Sequence, residues 1–562
     1  MRGALLPVPD SLRKRIQTPA SCLPILPVPH LRRLPPLRTC ALLVAAGASH
    51  LFAAEARYDL IVAGGLVYDG SGAAPVRADV AIAGARIVRV GDLAGATATR
   101  RLDAAGLAVA PGFIDLHAHL DPIRALPECE SSLRQGVTLA LGGPDGGGPW
   151  PFADYLAEVE KLPLGINVAY LAGHNSIRRA VLKLVDRAPT AAELAAMGGM
   201  VDQSMRDGAF GLSTGLKYLP GTFAKTDEVV ALARVAARHG GIYTSHLREE
   251  GMGLLPAVTE AIEIGRQAGL PVVLTHHKVI GQPSWGASVR TLALVDAARG
   301  RGQDVMIDQY PYTASYTSIS VLIPSWALAG GDAAFKTRTA DPAMRARLKA
   351  EIVEAILTDR GAGDVSRIQF SKVTWKTNLE GRTLRDWCVE RGLAPTPDHG
   401  ADLVIEAELA GGAGCIFHAM DDADVERIMR HPQTMIASDG RLSRPGEAMP
   451  HPRGYGTFPR VLGHYVRDKK VLTLETAIHK MTQLPALRLG LKDRGVIATG
   501  AVADLVIFDP AKVRDRSTFT APHQYPEGIP FVIVHGTAVI DGGKLTSARV
   551  GRVLRHPSTA TK

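Results

Sequence analysis

Residues 111–121 read PGFIDLHAHLD, and they place two histidines two positions apart at the end of an apolar run. Because side chains alternate along a β-strand, Asp115, His117 and His119 share one face, and both imidazoles can reach a single ion. An H-x-H pair also fits a strand in which both histidines are simply packed and hydrogen-bonded. Whether the pair belongs to a metal site therefore depends on the ligands that the rest of the chain supplies.

The region that follows this stretch has a repeated pattern. From about residue 113 to 440, short apolar runs alternate with amphipathic helical patterns, which is typical of βα units around a parallel sheet. The runs occupy residues 112–119, 137–143, 166–174, 209–215, 241–246, 271–277, 304–310 and 434–439. Eight such units predict an α/β fold with a closed (β/α)8 TIM barrel, which we place at residues 111–490. The pattern stretches between about 313 and 406, where we expect an insertion before the last barrel strand.

The segments that flank the barrel have a different sequence pattern. Residues 57–110 and 491–552 contain short alternating apolar runs separated by glycine-rich turns, which is typical of antiparallel strands. We expect these two segments to build one small β-sandwich domain from both ends of the chain. Residues 553–562 are expected to form a flexible tail.

Composition and charge favour a large globular enzyme. The chain has 562 residues, of which 46% are hydrophobic and 21% are charged. The net charge is +9, but seven basic residues and one acidic residue within positions 1–54 account for +6 of it, which leaves +3 for the rest. The charge therefore does not indicate a nucleic-acid partner. Nothing in the sequence indicates the oligomeric state.

Residues 1–56 resemble a leader. They combine basic residues, a short apolar run from Cys40 and the ending Ala54-Glu55-Ala56, which is typical of a secretory signal peptide. The run is too short to span a bilayer stably, and no later stretch has 18 uninterrupted apolar residues, so we expect no membrane span. We expect a periplasmic or secreted protein, or a cytoplasmic one if the leader is not a true signal.

Side chains that can bind metal ions follow several of the predicted barrel strands. His246 ends the fifth run, His276 lies in the sixth, and Asp439 ends the eighth. The reactive groups of TIM barrels gather at the carboxyl ends of the strands, where these residues would join His117 and His119. Their arrangement at one end of different strands favours a metal site over five unrelated packed residues.

The order H-x-H, His, His, Asp resembles the amidohydrolase superfamily, which consists of metal-dependent hydrolases with a barrel and a flanking β-sandwich. Further phrases resemble the N-acyl-D-amino-acid deacylases, or D-aminoacylases, within it. These phrases are GLSTGLKY (211–218), THHK (275–278), DQYPYTA (308–314), IASDG (436–440) and HPRGYGTFPRVLG (451–463). The resemblance runs from about residue 58 to 536, and it implies hydrolysis of a linear N-acyl amide of a D-amino acid, a small-molecule substrate.

The resemblance also implies a cofactor and a catalytic group. The cofactor is a divalent metal, Zn²⁺ in the first place, with one or two ions and with Mn²⁺, Co²⁺ or Fe²⁺ as alternatives. Such an ion lowers the pKa of a water towards roughly 7 and polarises the amide carbonyl. Asp439 occupies the superfamily position whose carboxylate takes a proton from that water and passes it to the departing amine. The alternative for Asp439 is a turn residue before Gly440.

Substrate-binding residues are implied in the same way. Arg453 matches the family arginine that binds the substrate α-carboxylate, and a guanidinium fork suits a carboxylate. Lys278, Tyr218 and Tyr310 match family positions around the carboxylate and the acyl oxygen. Arg453 could instead hold a loop, and the two tyrosines could be packed in the core.

The sequence departs from the family pattern at two places. Where D-aminoacylases carry a metal-binding cysteine after the second strand, this chain has Asp145 in the phrase Gly143-Pro144-Asp145-Gly146. Asp145 could replace the thiolate with a harder oxygen ligand and bridge two ions, or it could only cap a glycine-rich turn. At the second place, Ser315-Tyr316 replaces a usual Gly-Ser, which predicts a narrower substrate pocket.

Two other functions remain open at this point. A cyclic-amide hydrolase of the dihydroorotase or hydantoinase kind shares the barrel, although the phrases around Arg453 and Lys278 belong to the deacylase branch. A non-catalytic barrel that serves as a binding module is disfavoured, because such proteins lose their metal ligands and this chain keeps them.

Overall fold

The computed structural model describes residues 57–557. The leader predicted at residues 1–56 and the last five residues of the predicted tail lie outside the described residues. Among the helices of residues 57–557, none has the length and hydropathy that a bilayer crossing requires.

A closed barrel of eight parallel strands, all within the described part of the chain, forms the centre of the fold. Their bounds are Phe113–Asp115, Val137–Gly142, Asn167–Tyr170 with its continuation Ala172–Gly173, Gly211–Gly215, Ile242–His246, Val272–Leu274, Val305–Gln309 and Thr434–Ile436. Each strand pairs in parallel with the next. The N–H of Asp439 donates to the carbonyl oxygen of His117 at 2.8 Å, which closes the ring between the last strand and the first. The predicted (β/α)8 barrel is confirmed.

Helices surround the barrel because each buries one apolar stripe against it. In the helix Thr226–Arg238, for example, Val229, Ala233 and Ala236 recur at helical spacing and are buried. The other helices outside the insertion are Glu130–Leu133, Phe152–Val159, His174–Leu182, Ala191–Arg206, Leu254–Ala268, Ser288–Gly300, Asp422–Arg430, Arg453–Arg460, Leu474–Met481 and Gln483–Arg488, with a π-helix at Val461–Asp468.

An insertion with its own core separates the seventh and eighth barrel strands. Its strands Ser315–Ser318, Ile368–Lys372 and Gly414–Phe417 form an antiparallel sheet with Gly414–Phe417 in the middle. Its helices are Ser325–Leu328, Asp332–Ala340, Pro342–Thr358, Leu384–Glu390 and Pro397–Leu409. The insertion extends past the predicted end near residue 406, because Gly414–Phe417 pairs with both of the other insertion strands and with none of the barrel.

Strands from both chain ends, nine within residues 57–557, form one hydrogen-bonded sheet. They are Tyr58–Val67, Val76–Ala83, Arg86–Gly91, Ala98–Asp103, Ala108–Pro111, Leu505–Phe508, Phe531–Val534, Thr537–Asp541 and Lys544–Leu545. The two ends meet where Leu505–Phe508 pairs antiparallel with Ala108–Pro111. Both halves of Tyr58–Val67 pair with Val76–Ala83 on either side of a β-bulge, while its other edge pairs first with Ala98–Asp103 and then with Ala108–Pro111. Apolar side chains of these strands form a core of their own. The expectation of one β domain built from both ends is confirmed.

The structure differs from the prediction at the start of the tail. Residues 553–557, predicted as flexible, are hydrogen-bonded to the barrel: the N–H of Leu554 donates to the Val168 carbonyl at 2.7 Å, and Arg555 pairs with Glu160 at 2.6 Å. These residues are held because their extended backbone satisfies backbone groups that the third barrel strand leaves free.

Candidate metal centre and active site

The carboxyl ends of the barrel strands bring all six predicted metal-binding side chains together. These residues are His117, His119, Asp145, His246, His276 and Asp439. They fall into two groups of possible ligands, within each of which the ligand atoms lie within 4.8 Å of one another.

The first group has the spacing of a metal site. Asp145 Oδ2 lies 3.5 Å from His117 Nε2 and 3.6 Å from His119 Nε2. Asp439 Oδ1 lies 3.5 Å and 3.0 Å from the same two nitrogens. Ligands about 2.0–2.1 Å from a tetrahedral zinc ion are roughly 3.3 Å apart, so this group has room for one divalent ion.

The second group shares one residue with the first. Asp145 Oδ1 lies 3.4 Å from His276 Nε2 and 4.0 Å from His246 Nδ1, and these two nitrogens are 2.6 Å apart. The two carboxylate oxygens of Asp145 therefore face different groups. Asp145 is therefore a member of both groups of possible ligands.

The charges and unpaired atoms of the centre fit a divalent cation. Burial lowers the pKa of His117, but the negative charges of Asp145 and Asp439 outweigh it and raise that pKa to about 10. The surrounding carboxylates thus favour positive charge at this point. Nε2 of His117 and Oδ1 of Asp145 are buried without a hydrogen-bond partner among the described residues, which is costly unless an ion binds them.

Three of the candidate ligands have a left-handed backbone conformation. Asp145, His276 and Asp439 have φ angles of 54°, 36° and 49°, in the left-handed region that costs non-glycine residues about 1–3 kcal/mol each. Such conformations persist only where the surroundings impose them, and they cluster at functional sites.

Two buried carboxylates that were not predicted as site residues impose two of these conformations. Asp115 accepts hydrogen bonds from the N–H of Ser438, at 2.9 Å, and from its hydroxyl, which fixes the residue before Asp439. Asp308 Oδ1 accepts the N–H of His276 at 2.6 Å. The signal was present in the sequence, since Asp115 ends the first barrel strand and Asp308 lies one residue before the end of the seventh, both inside the quoted phrases.

A cavity of about 630 Å³ lies over the centre, a size that suits a small-molecule ligand. All four predicted substrate-binding residues line it, namely Tyr218, Lys278, Tyr310 and Arg453. Five of the six candidate ligands line the cavity, and the sixth, His117, is fully buried.

Arg453 forms an ion pair with Asp439 at the wall of this cavity. Its Nη1 lies 2.7 Å from Asp439 Oδ2, and its guanidinium carbon lies 4.7 Å from the centre of the Tyr310 ring. Burial raises the pKa of Asp439, but the charges of Arg453 and His117 outweigh it and hold that pKa below its usual range. The carboxylate is therefore ionised, which is the form that accepts a proton.

Lys278 and Tyr218 contact the second group. Lys278 Nζ lies 2.7 Å from His276 Nδ1 and also forms an ion pair with Glu250. The ring centre of Tyr218 lies 4.3 Å from that of His246. Glu250 was not predicted, because in the phrase HLREEG nothing distinguishes it from the acidic residue before it.

The structure also shows where the two departures from the family pattern lie, the missing cysteine and the pair Ser315-Tyr316. Within residues 57–557, no cysteine joins either ligand group, and Cys129 is buried with its thiol 3.7 Å from the Leu126 carbonyl. Tyr316 lines the cavity, while Ser315 Oγ accepts a hydrogen bond from Arg360 at 2.9 Å. The narrower pocket stays a prediction.

Comparison with known proteins identifies relatives over most of the chain. The amidohydrolase family matches residues 100–540. A D-aminoacylase from Alcaligenes xylosoxydans xylosoxydans is 39% identical over 524 residues, which cover 88% of this chain and 97% of the relative.

Two solved structures agree with this match. The N-acyl-D-glutamate deacylase from Bordetella bronchiseptica, complexed with zinc and a phosphonate that mimics the tetrahedral intermediate, has a TM-score of 0.77 at 35% identity. A D-aminoacylase solved to study its binuclear metal centre has a TM-score of 0.76 at 37% identity. Each match covers 89% of this chain and 100% of the solved chain. The chain belongs to the amidohydrolase family and, within it, to the N-acyl-D-amino-acid deacylases, or D-aminoacylases.

Proposed function

We propose that this protein hydrolyses the linear amide of N-acyl-D-amino acids to a carboxylate and a free D-amino acid. The observation that carries the proposal is one cavity in which two His/Asp ligand groups share Asp145 while Arg453 lies beside Asp439. The first feature suits activation of water, and the second suits capture of an α-carboxylate next to the reacting bond.

Two zinc ions are the proposed cofactor. His117, His119 and Asp439 would hold one ion, His246 and His276 would hold the other, and Asp145 would bridge them. A divalent ion here supplies a Lewis acid that polarises the amide carbonyl and lowers the pKa of water to about 7. Zinc is supported by its presence in the Bordetella relative, whereas the oxygen ligand Asp145 also suits Mn²⁺, Co²⁺ or Fe²⁺.

Asp439 moves the proton in this proposal. Its ionised carboxylate takes a proton from the attacking water onto one oxygen and delivers it to the amide nitrogen as the C–N bond breaks. Without that delivery the amine is a very poor leaving group. Burial and the ion pair with Arg453 hold the carboxylate in place for both transfers.

Arg453 binds and orients the substrate. Its guanidinium presents two parallel N–H donors that match a carboxylate, and the Tyr310 ring supports it from one side. Lys278 adds a second positive charge to the same cavity. The substrate is therefore held by its α-carboxylate with the amide directed towards Asp439.

A substrate panel tests the proposal directly. On protein replenished with zinc, N-acetyl-D-amino acids should be hydrolysed with a kcat/KM about 100-fold or more above that of the L-forms, because a misplacement of about 1 Å costs roughly that factor. Amine release is the measurement. Faster hydrolysis of hydantoins or dihydroorotate than of any linear amide would favour the cyclic-amide alternative, and activity that survives removal of all divalent ions would contradict the metal role.

Arg453→Met tests the carboxylate-binding role. We expect KM for an N-acetyl-D-amino acid to rise by about 10- to 100-fold, with a smaller change in kcat, because a hydrogen bond to a charged group is worth about 1.5–3 kcal/mol. The matched control is Arg444→Met, since Arg444 lines the same cavity but is exposed and bonds the Ala125 carbonyl at 2.8 Å. For the corresponding N-acetyl-D-amino-acid amide, which lacks the carboxylate, Arg453→Met should leave KM unchanged, and any fall in kcat reports the loss of the ion pair with Asp439. Equal KM values for the acid would contradict the role.

A further inference from the structure

Glu250 lies behind both histidines of the second ligand group. Its side chain is 2% exposed, with Oε1 3.3 Å from His276 Nδ1 and Oε2 3.7 Å from His246 Nε2. These are the ring nitrogens that face away from Asp145. One carboxylate thus presents a separate oxygen to the back of each imidazole.

A carboxylate behind a histidine ring can fix which ring nitrogen carries the proton. A histidine that offers one nitrogen to a metal ion carries its proton on the other nitrogen, and that N–H needs an acceptor that fixes the ring and its tautomer. His246 Nε2 is buried and has no hydrogen-bond partner among residues 57–557. Glu250 supplies negative charge to this nitrogen and to Nδ1 of His276 together.

Two buried cations hold Glu250. Lys278 pairs with Oε1 and also lies 2.7 Å from His276 Nδ1, on the histidine side of the carboxylate. Arg360 Nη2 donates to Oε2 at 2.9 Å. Arg360 is 1% exposed and belongs to the insertion, where its Nη1 donates to Ser315 Oγ at 2.9 Å. The insertion therefore reaches the second ligand group through one buried ion pair.

We propose that Glu250 is the positioning residue of His246 and His276, and that Arg360 ties this carboxylate to the insertion. The inference rests on the proposed two-ion centre. It assigns to the insertion a part in metal binding, in addition to its part in forming the cavity wall. A purely structural role, in which Glu250 only neutralises Lys278 and Arg360, would affect thermal stability without changing the relative affinities for two ions.

Glu250→Gln separates these roles, and Glu249→Gln is the matched control. Glu249 is the adjacent residue, but its side chain is 43% exposed and pairs with Lys217 at 2.9 Å. The measurements are metal content after dialysis, titration with Zn²⁺ against a competing chelator, and the melting temperature. His119→Ala removes a ligand of the first group alone, so the binding step that it leaves intact is the one that belongs to the second group.

In Glu250→Gln, we expect the binding step of the second group to weaken by about 10- to 100-fold, the usual effect of losing an outer partner of a metal-binding histidine. The binding step of the first group should not change, and Glu249→Gln should behave as wild type. Arg360→Gln should weaken the same step in the same direction, and it supplies a second route if Glu250→Gln does not fold.

The outcomes separate a failure of the role proposed for Glu250 from a failure of the proposed two-ion centre. Two ions in the wild type with unchanged affinities in Glu250→Gln and Arg360→Gln would overturn the positioning role alone, as would an equal weakening of both steps. A wild-type protein that binds fewer than two ions would contradict the two-ion centre, and with it the role of Glu250.

Discussion

Asp439→Asn should lower kcat for N-acetyl-D-amino acids by about 10³- to 10⁴-fold while the protein keeps its fold. An asparagine amide has nearly the shape of the carboxylate but cannot take a proton from water or deliver one to the leaving amine, and general acid–base catalysis contributes about 10²- to 10⁴-fold. We expect a loss of kcat at the upper end of this range, because Asp439 performs both proton transfers. Single-turnover amine release measures the effect, and metal analysis of the same sample shows whether the ions remain.

The control for this variant is Asp121→Asn. Asp121 also lines the cavity, but it is exposed and pairs with Arg441 at 2.8 Å, so its loss should leave kcat within a few-fold of wild type. A metal-loaded Asp439→Asn protein with wild-type kcat would rule out the proton-transfer role. It would leave Asp439 as the turn residue before Gly440.

The second large effect is expected at Asp145, where the sequence permits either a bridging ligand or a turn residue. Asp145→Asn separates the two, because asparagine tolerates the left-handed φ of 54° but has only one oxygen and no charge. If Asp145 bridges the two groups, this variant should lose one ion and more than the roughly 100-fold in activity that loss of an outer partner costs. If it only shapes the turn, metal content and activity should be retained.

Asp145→Cys is the complementary variant. It introduces the cysteine that D-aminoacylases carry after the second strand, and a single sulfur atom would then serve both ligand groups. We expect it to restore binding of the ion that Asp145→Asn loses, and to give the cobalt-loaded protein a thiolate-to-metal absorption band that the wild type lacks. Failure of Asp145→Cys to bind more metal than Asp145→Asn would contradict a shared ligand at this position.

Much of the fold follows from patterns that are local in sequence. Strand alternation and apolar runs predicted all eight barrel strands, because a parallel strand buried on both faces is apolar along its whole length. The end of the insertion was misjudged for a non-local reason. Three of the four residues of Gly414–Phe417 are buried, as in a barrel strand, and only its pairing with Ser315–Ser318 and Ile368–Lys372 assigns it to the insertion sheet.

Much of the candidate site could likewise be predicted from the sequence, because the carboxyl ends of parallel strands converge in a closed barrel. That rule alone placed His117, His119, His246 and His276 together before any contact was known. Family resemblance then identified Arg453 as a cavity residue, which the structure places beside Asp439.

The sequence by itself determined the barrel, the β domain shared by the two chain ends and the residue types of a metal centre, since these depend on local periodicity and on strand ends. Only the tertiary structure decided how the groups meet. It directs the two oxygens of Asp145 towards different ligand groups and brings Arg360 from the insertion onto Glu250, 110 positions earlier. The physical reason is that both contacts join segments whose approach is fixed by closure of the barrel and by packing of the insertion, which leave no periodic trace in the sequence.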